Sequence, residues 1–310
     1  MYQHQTMITS NWTIYYYSLE INMAKKLAIS VSGGGMLGIG PLQFMCRLES
    51  DLGKKISSIS FAYAGTSTGS IIAAGLAQDK SAQELFDLYR INLKNIFKKY
   101  SWYKRLVPKC PTYDHSNLKK ILEKNFPGNI GDWSKPIYIP VTYMNGKSEE
   151  KVWDLGDKDV KKSFAVLTSC SAPTYFDVVV EKGQSFCDGG MWANDPVATL
   201  QAGLTRSGHS NYKILSFNTG MVTPHTVCGN MSKLEWAEYI LDEWVARTGE
   251  ANFYEASSNI GIDNAFRCAP THDHKIKMDK VDDDTVQEVV SIWDKYYDSV
   301  RDDLLKFIKR

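Results

Sequence analysis

Residues 59–78 read ISFAYAGTSTGSIIAAGLAQ, an aromatic and apolar run, a stretch of glycine and small hydroxyl residues, then a run rich in Ala, Ile and Leu. That order predicts strand, tight turn and helix, the repeating unit of an α/β fold. Inside the turn, Gly65-Thr66-Ser67-Thr68-Gly69 spells G-x-S-x-G, the pattern of a serine nucleophile held on a strained strand-to-helix elbow. Gly65 and Gly69 give the backbone freedom that such an elbow needs. The helix that follows brings backbone N–H groups and a positive dipole end toward Ser67, which favours an anionic intermediate.

A similar unit comes earlier. KKLAISVSGGGMLGIGPLQFMCRLESDLG reads as a buried strand from Leu27 to Val31, a glycine loop at Gly33, Gly34 and Gly35, and a helix from about Gly40 to Leu52. Successive glycines can turn several N–H groups toward one point, as an oxyanion hole or a phosphate nest does. A plain turn and a dinucleotide fingerprint are the competing readings, the latter weakened because no clear ribose-binding acid ends the next strand.

Further along, a Ser N-cap with Glu three residues on opens a helix over 81–92, and another covers 113–126. A strand runs from Ile137 to Thr142, and Asn145-Gly146 marks a hairpin between 138–143 and 151–155. Helix 159–169 leads into the irregular CSAPTYF. Strands 178–180 and 184–187 pair across a turn, DGGMWANDP is a loop, and 195–206 is helical. Lys213 to Asn218 is read as the final strand. From about Ser232 the pattern is mostly helical, ending in a stripe of Val286, Val289, Trp293, Tyr296 or Tyr297, Val300 and Leu304.

Asp188, in Phe186-Cys187-Asp188-Gly189-Gly190, ends a strand. It is either a solvated turn residue or a base, if its carboxylate is partly desolvated and within reach of Ser67.

Together these elements resemble the patatin-like phospholipase family, in the order SGGGMLG, GTSTGS, CSAPTYF, DGGMWANDP over roughly residues 26 to 220. The resemblance implies a patatin-like three-layer α/β fold with a mostly parallel central sheet, flanking helices and a helical C-terminal region. It implies lipid acyl hydrolysis by a Ser-Asp dyad, with Ser67 as nucleophile and Asp188 as its base. The N–H groups of Gly34 and Gly35, on a loop shaped by Gly33, would form the oxyanion hole. Ser171-Ala172-Pro173 would line the site, and Asn194-Asp195-Pro196 would be the turn after the acid. The chain departs from the family pattern at Leu37, where Arg or Lys is usual, at Ser32, often Asp, and at Ser70, commonly Gly. The reaction implied needs no metal and no organic cofactor.

Composition narrows the partners. The 310 residues, 43% of them hydrophobic, suffice for a large core. With 36 basic and 35 acidic residues the net charge is +1, which argues against a global pull toward nucleic acid. No apolar run reaches the ~18 residues of a membrane span, and the first 22 residues lack the basic start of a signal peptide. We expect an N-terminal extension over 1–22 with Met23 as a plausible start, a catalytic core over 23–230, and a helical part over 231–310 packed on it. The six cysteines lack zinc or disulfide spacing, so reduced thiols and a cytoplasmic setting with peripheral membrane association are expected.

The basic and aromatic stretch NLKNIFKKYSWYKRLVPK suits an anionic headgroup layer through Lys98, Lys99, Trp102, Lys104 and Arg105. A solvated basic loop is the alternative. His209 and His225 could serve a Ser-His-Asp esterase, but each sits in a polar loop without an adjoining acid. His272 and His274 lack further metal ligands nearby. An effector held off until a partner or small ligand binds, and an inactive lipid-binding protein, complete the alternatives.

Overall fold

A computed structural model describes residues 24–101, 110–222 and 231–310. The expected extension over 1–22, the residues Trp102, Lys104 and Arg105, and His225 lie outside the described residues.

The chain alternates strand and helix as the sequence predicts. Strand β1 (Lys26–Val31) is followed by a 3-10 turn at Gly35–Gly38 and helix α1 (Ile39–Leu52). Strand β2 (Ser60–Gly65) leads into α2 (Thr68–Ala77), then α3 (Ala82–Ile96) and α4 (Ser116–Asn125). The capping box of α3 is present, with Ser81 accepting from the Glu84 N–H and Glu84 accepting from that of Ser81. The Asn-Gly hairpin joins β3 (Ile137–Met144) to β4 (Ser148–Trp153), and helix α5 (Lys162–Ser169) follows. Next come β5 (Val179–Glu181), β6 (Gln184–Asp188), α6 (Val197–Arg206) and β7 (Tyr212–Phe217).

Two local expectations are corrected. The segment after Asp188 is not wholly loop, because Gly190–Ala193 forms one helical turn. Lys213 to Asn218 is not the last strand. After β8 (Met221–Val222) and the long helix α7 (Lys233–Ile260), β9 (Ala265–Cys268) joins the main sheet, and β10 (Thr271–His272) pairs with β8. A four-residue strand such as AFRC carries too little alternation to be read from sequence. Helix α8 (Asp283–Lys309) closes the chain.

The main sheet runs in the order β5-β6-β3-β2-β1-β7-β9, with β4 on β3. Strands β3, β2, β1, β7 and β9 are parallel to their neighbours along the sheet, while β4 and β6 are antiparallel to β3 and β5 is antiparallel to β6. Alternate residues feed opposite faces. Ile29, Val31, Tyr63, Leu215 and Phe217 face a large core built with α1 to α5 and α8. Ala28, Ala62, Ala64, Tyr212 and Ile214 face a smaller one with Val197, Leu200 and Leu204 of α6. This is a helix-sheet-helix sandwich.

The expected stripe on α8 is buried at Val286, Val289, Trp293, Tyr297 and Leu304. Phe44 of α1 meets Trp293 and Tyr297 edge to face at 5.9 and 4.8 Å, and Phe217 of β7 at 5.5 Å. Gly40 allows this packing, since a Cβ there would lie 2.0 Å from the Trp293 ring. The last helix therefore completes the core instead of forming a separate unit.

Register places the chemistry. Val31 pairs with Gly65 on one side and Phe217 on the other, so the loops after β1, β2 and β7 leave the sheet side by side. Strand β6 runs against β3 with Asp188 opposite Val141. Four loops thus converge beyond the carboxyl ends of the parallel strands, where α/β sheets bind ligands.

Candidate active site

Ser67 sits between β2 and α2 with φ 53° and ψ −126°, a left-handed conformation that a non-glycine residue keeps only when its surroundings hold it. They do so from several sides. The Ser67 N–H donates to Ser169 Oγ at 3.0 Å, and Ser169 Oγ donates to the Pro140 carbonyl at 2.7 Å. The Ser67 carbonyl accepts from Ser70 Oγ at 2.6 Å and from Cys170 Sγ at 3.1 Å. The two elbow glycines are required by close approach: a Cβ on Gly65 would lie 2.1 Å from the Gly69 carbonyl oxygen, and one on Gly69 2.1 Å from that of Val31.

Asp188 ends β6 with only 4% of its surface exposed. Its N–H donates to the Ser171 carbonyl at 3.0 Å, its own carbonyl accepts from Thr142 Oγ1 at 2.9 Å, and Oδ1 accepts from the Gly190 N–H at 2.6 Å. Burial pushes the carboxyl up to about 7, while the Ser67 hydroxyl and the Gly190 N–H pull against that rise. Desolvation wins because, among the described residues, no cation stands beside it to stabilise the charged form. The result is a carboxylate in contact with a serine hydroxyl and poised to exchange a proton near neutral pH.

The glycine loop is held by its carbonyls. A trans peptide points its C=O and N–H in opposite directions, so fixing one end aims the other. The Gly33 carbonyl accepts from Thr219 Oγ1 at 2.9 Å and Asn194 Nδ2 at 3.4 Å, and the Gly34 carbonyl from the Leu37 N–H at 3.1 Å. The N–H groups of Gly34 and Gly35, at the opposite ends of those peptides, make no hydrogen bond among the described residues. The Gly33 N–H is used differently, bonding the Asn194 carbonyl at 2.9 Å, so Gly33 shapes the loop and offers no donor. A Cβ on Gly33 would fall 3.1 Å from that of Ser67, which places the loop directly against the serine. Gly35 has φ +55°, and a Cβ there would meet the Met278 carbonyl oxygen at 2.5 Å.

From Ser67 a cleft opens, lined among others by Ile71, Tyr89, Ile96, Leu118, Phe176 and Met278. Among the described residues none that lines it carries a charge, so it accepts an apolar chain more readily than a polar one. A smaller cavity shares the Ile71, Tyr89, Ile96 and Leu118 wall.

Lys98 and Lys99 are exposed. They adjoin the cleft rim, where the Lys98 carbonyl accepts from the Asp114 N–H at 3.2 Å and the Tyr113 N–H donates to the Tyr175 carbonyl at 2.8 Å. The histidines lie apart. His209 packs edge to face on Phe61 at 5.2 Å, near the end of β2 opposite to Ser67. His272 is buried with Nδ1 2.8 Å from the His274 carbonyl. Among the described residues no cluster of three His, Cys, Asp or Glu could hold a metal, and no helix is long and apolar enough to cross a membrane.

Sequence reasoning missed Tyr89, Ser169, Thr219 and Met278. Tyr89 reads as one more apolar position on an amphipathic helix, and the other three follow no spacing rule. Tertiary contact alone brings them here.

A family model described as Patatin-like phospholipase matches residues 29–200. A cGAMP-activated phospholipase of Pseudomonas aeruginosa is 32% identical over 178 residues, covering 54% of this chain and 53% of that protein. The cGAMP-activated phospholipase of Vibrio cholerae is 28% identical over 194 residues, 54% of each chain. An intracellular phospholipase A2 of Caenorhabditis elegans is 28% identical over 235 residues, 67% of this chain and 21% of its own. The solved human GIVD cytosolic phospholipase A2 superposes with a TM-score of 0.49 at 9% identity, over 92% of this chain and 60% of that one. The chain thus spans about half the length of the bacterial relatives it matches.

Proposed function

We propose that this chain, which belongs to the patatin-like phospholipase family, hydrolyses the carboxylic esters of glycerophospholipids with a Ser67-Asp188 dyad. The observation that carries the reading is the buried Asp188 carboxyl hydrogen-bonded to Ser67, with the glycine loop packed directly against that serine. Asp188 takes the proton of Ser67 as Oγ attacks the acyl carbonyl, and the carbonyl π electrons move onto oxygen. The Gly34 and Gly35 N–H groups receive that oxyanion. As the oxyanion collapses, the C–O bond to glycerol breaks and Asp188 returns its proton to the leaving oxygen. A water, losing its proton to Asp188, then attacks the acyl-serine; as the second oxyanion collapses the bond from Ser67 Oγ to the acyl carbon breaks, Asp188 returns the proton to Oγ, and the fatty acid leaves. The uncharged cleft holds the acyl chain, and each buried CH₂ contributes about 0.8 kcal/mol.

Product analysis by mass spectrometry on mixed phospholipid vesicles tests this. Wild type should release fatty acid and lysophospholipid, while Ser67→Ala and Asp188→Asn should release neither. Unchanged products in either variant would sink the dyad.

The lipid is met at a membrane surface through Lys98 and Lys99, with Trp102, Lys104 and Arg105 as partners in that docking, and the setting is cytoplasmic. A regulated form of the same activity is favoured by one observation. The oxyanion loop is fastened by residues after β7, through Thr219 Oγ1 on Gly33 and the Met278 carbonyl on the Met36 N–H. A ligand bound to that part of the chain would act on the hole directly. Two relatives are named for activation by cGAMP, so fatty acid release measured with and without cyclic dinucleotides separates a constitutive enzyme from an effector.

A further inference from the structure

We infer that Tyr89 is a positioning residue for acyl transfer, holding the oxyanion loop and the nucleophile elbow at a fixed separation through its hydroxyl. The inference rests on the proposed serine chemistry and concerns a residue well outside the motifs.

Tyr89 lies on α3, 4% exposed, with its ring in the cleft wall beside Ile71, Ile96 and Leu118. A phenylalanine would fill that wall equally well, so the buried hydroxyl needs an explanation. It donates to the Gly35 carbonyl and accepts from Thr68 Oγ1 at 2.5 Å. Thr68 follows the nucleophile directly, and Gly35 carries one of the two N–H groups of the loop that make no hydrogen bond among the described residues. A single side chain therefore bonds both halves of the site.

Planarity turns this into control of direction. The Gly35-Met36 peptide is held at both ends, its carbonyl by Tyr89 and its N–H by the Met278 carbonyl at 2.7 Å, so its plane cannot rotate. Gly35 has φ +55° and no side chain to lock it, and glycine is the residue freest to drift. Fixing the peptide after Gly35 restrains the orientation of the Gly35 N–H before it. Donors are effective only when they point at the developing oxyanion in advance. Burial also pushes the Tyr89 phenol up from its ordinary value, so it remains a donor throughout the neutral range.

Removal of a whole oxyanion donor costs about 10²–10³-fold in kcat, and loosening one should cost less, on the order of 10–100-fold. The alternative is that Tyr89 is only cleft wall, in which case loss of the hydroxyl changes chain preference or KM and spares kcat.

The test uses Tyr89→Phe, Thr68→Val and the double variant, with kcat and KM on short- and long-chain esters. Two inhibitors are added: a long-chain trifluoromethyl ketone, which forms an oxyanion on the serine, and the matching fatty acid, which fills only the cleft. Tyr89→Phe should lower kcat about 10–100-fold on both esters, keep KM within about twofold, weaken the ketone by the same factor, and leave fatty acid binding unchanged. Thr68→Val, which keeps the bond to Gly35, should cost less than about fivefold. The double variant removes the orphaned Thr68 hydroxyl, so it should regain unfolding midpoint without regaining kcat. A kcat preserved in Tyr89→Phe, a loss confined to KM, an unchanged ketone affinity, or recovery of kcat in the double variant would each overturn the inference. Hydrolysis that survives Ser67→Ala would overturn the serine chemistry and this inference with it. Hydrolysis that needs Ser67 but not the Tyr89 hydroxyl overturns this inference alone.

Discussion

Two aspartates seven positions apart, at the end of β6 and in the turn before α6, are both raised by burial but differ in what stands beside them. Asp188 is 4% exposed and has no cation beside it among the described residues, so desolvation lifts its carboxyl to about 7. Asp195 is 3% exposed, and burial pushes it up as well, but Arg267 of β9 opposes the rise from 2.6 Å. Arg267 also binds Glu250 of α7 at 3.0 Å, and Asp195 Oδ1 caps the Val197 N–H at 3.1 Å. A buried carboxyl without a counter-ion can change its protonation state near neutrality, whereas Arg267 offsets part of the rise at Asp195 and the ion pair serves as a brace. Burial alone does not mark a base; what stands beside the carboxyl does.

The contrast breaks most severely at Ser67, where Ala should reduce turnover by about 10⁶-fold, measured as fatty acid release. Asp188→Asn should lower kcat/KM by about 10²–10⁴-fold in a folded protein. Asp195→Asn should do the reverse, costing up to about 3–5 kcal/mol of stability by leaving Arg267 only the half-exposed Glu250 as an ion-pair partner, while the folded fraction keeps most of its turnover. If denaturant titration and kinetics show the two variants exchanging these phenotypes, the assignment of base and brace is wrong.

pH sharpens the comparison further. Below about 7, kcat/KM should fall tenfold per unit as Asp188 takes up its proton, and above that value it should level off. The stability effect runs the other way. Because the folded-state value exceeds the unfolded one of 3.8, the carboxyl favours the folded state fully only below about 4, and that contribution is lost as pH rises to about 7. Asp188→Asn should therefore gain on the order of 1–4 kcal/mol over wild type at pH 8 and nothing at pH 4, read from unfolding midpoints at the two values. The smallest effect concerns neither aspartate. Replacing Lys98 and Lys99 by Ala should weaken binding to anionic vesicles by about 1 kcal/mol per lysine and leave cleavage of a soluble ester unchanged.

The alternation of strand and helix through β7 is legible in the chain because each element carries its own periodicity and breakers. So are Ser67 and the glycines around it, since an elbow needs small residues at fixed offsets. From the residues alone Asp188 reads equally as a turn residue or a base, and it is the resemblance of the four motifs that names it as the base. Strand β9 was not legible: four residues at the edge of a sheet owe their conformation to Ile214 through Phe217 alongside them, and local sequence does not record that neighbour. The role of Tyr89 was hidden for a similar reason, because on a helical stripe it looks like any other core aromatic.

By itself the sequence determined the α/β alternation, the G-x-S-x-G elbow and the glycine loop, because propensity, periodicity and the steric demands of a tight turn act over a few neighbouring residues. Only the tertiary structure decided which acid meets Ser67, how far its carboxyl is desolvated, and which carbonyls of the glycine loop are held so that its N–H groups stay open. Those outcomes depend on side chains such as Thr219, Asn194 and Tyr89, far apart in the chain and joined by packing. The free energy of a buried charge or a pinned peptide is set by what surrounds it in space.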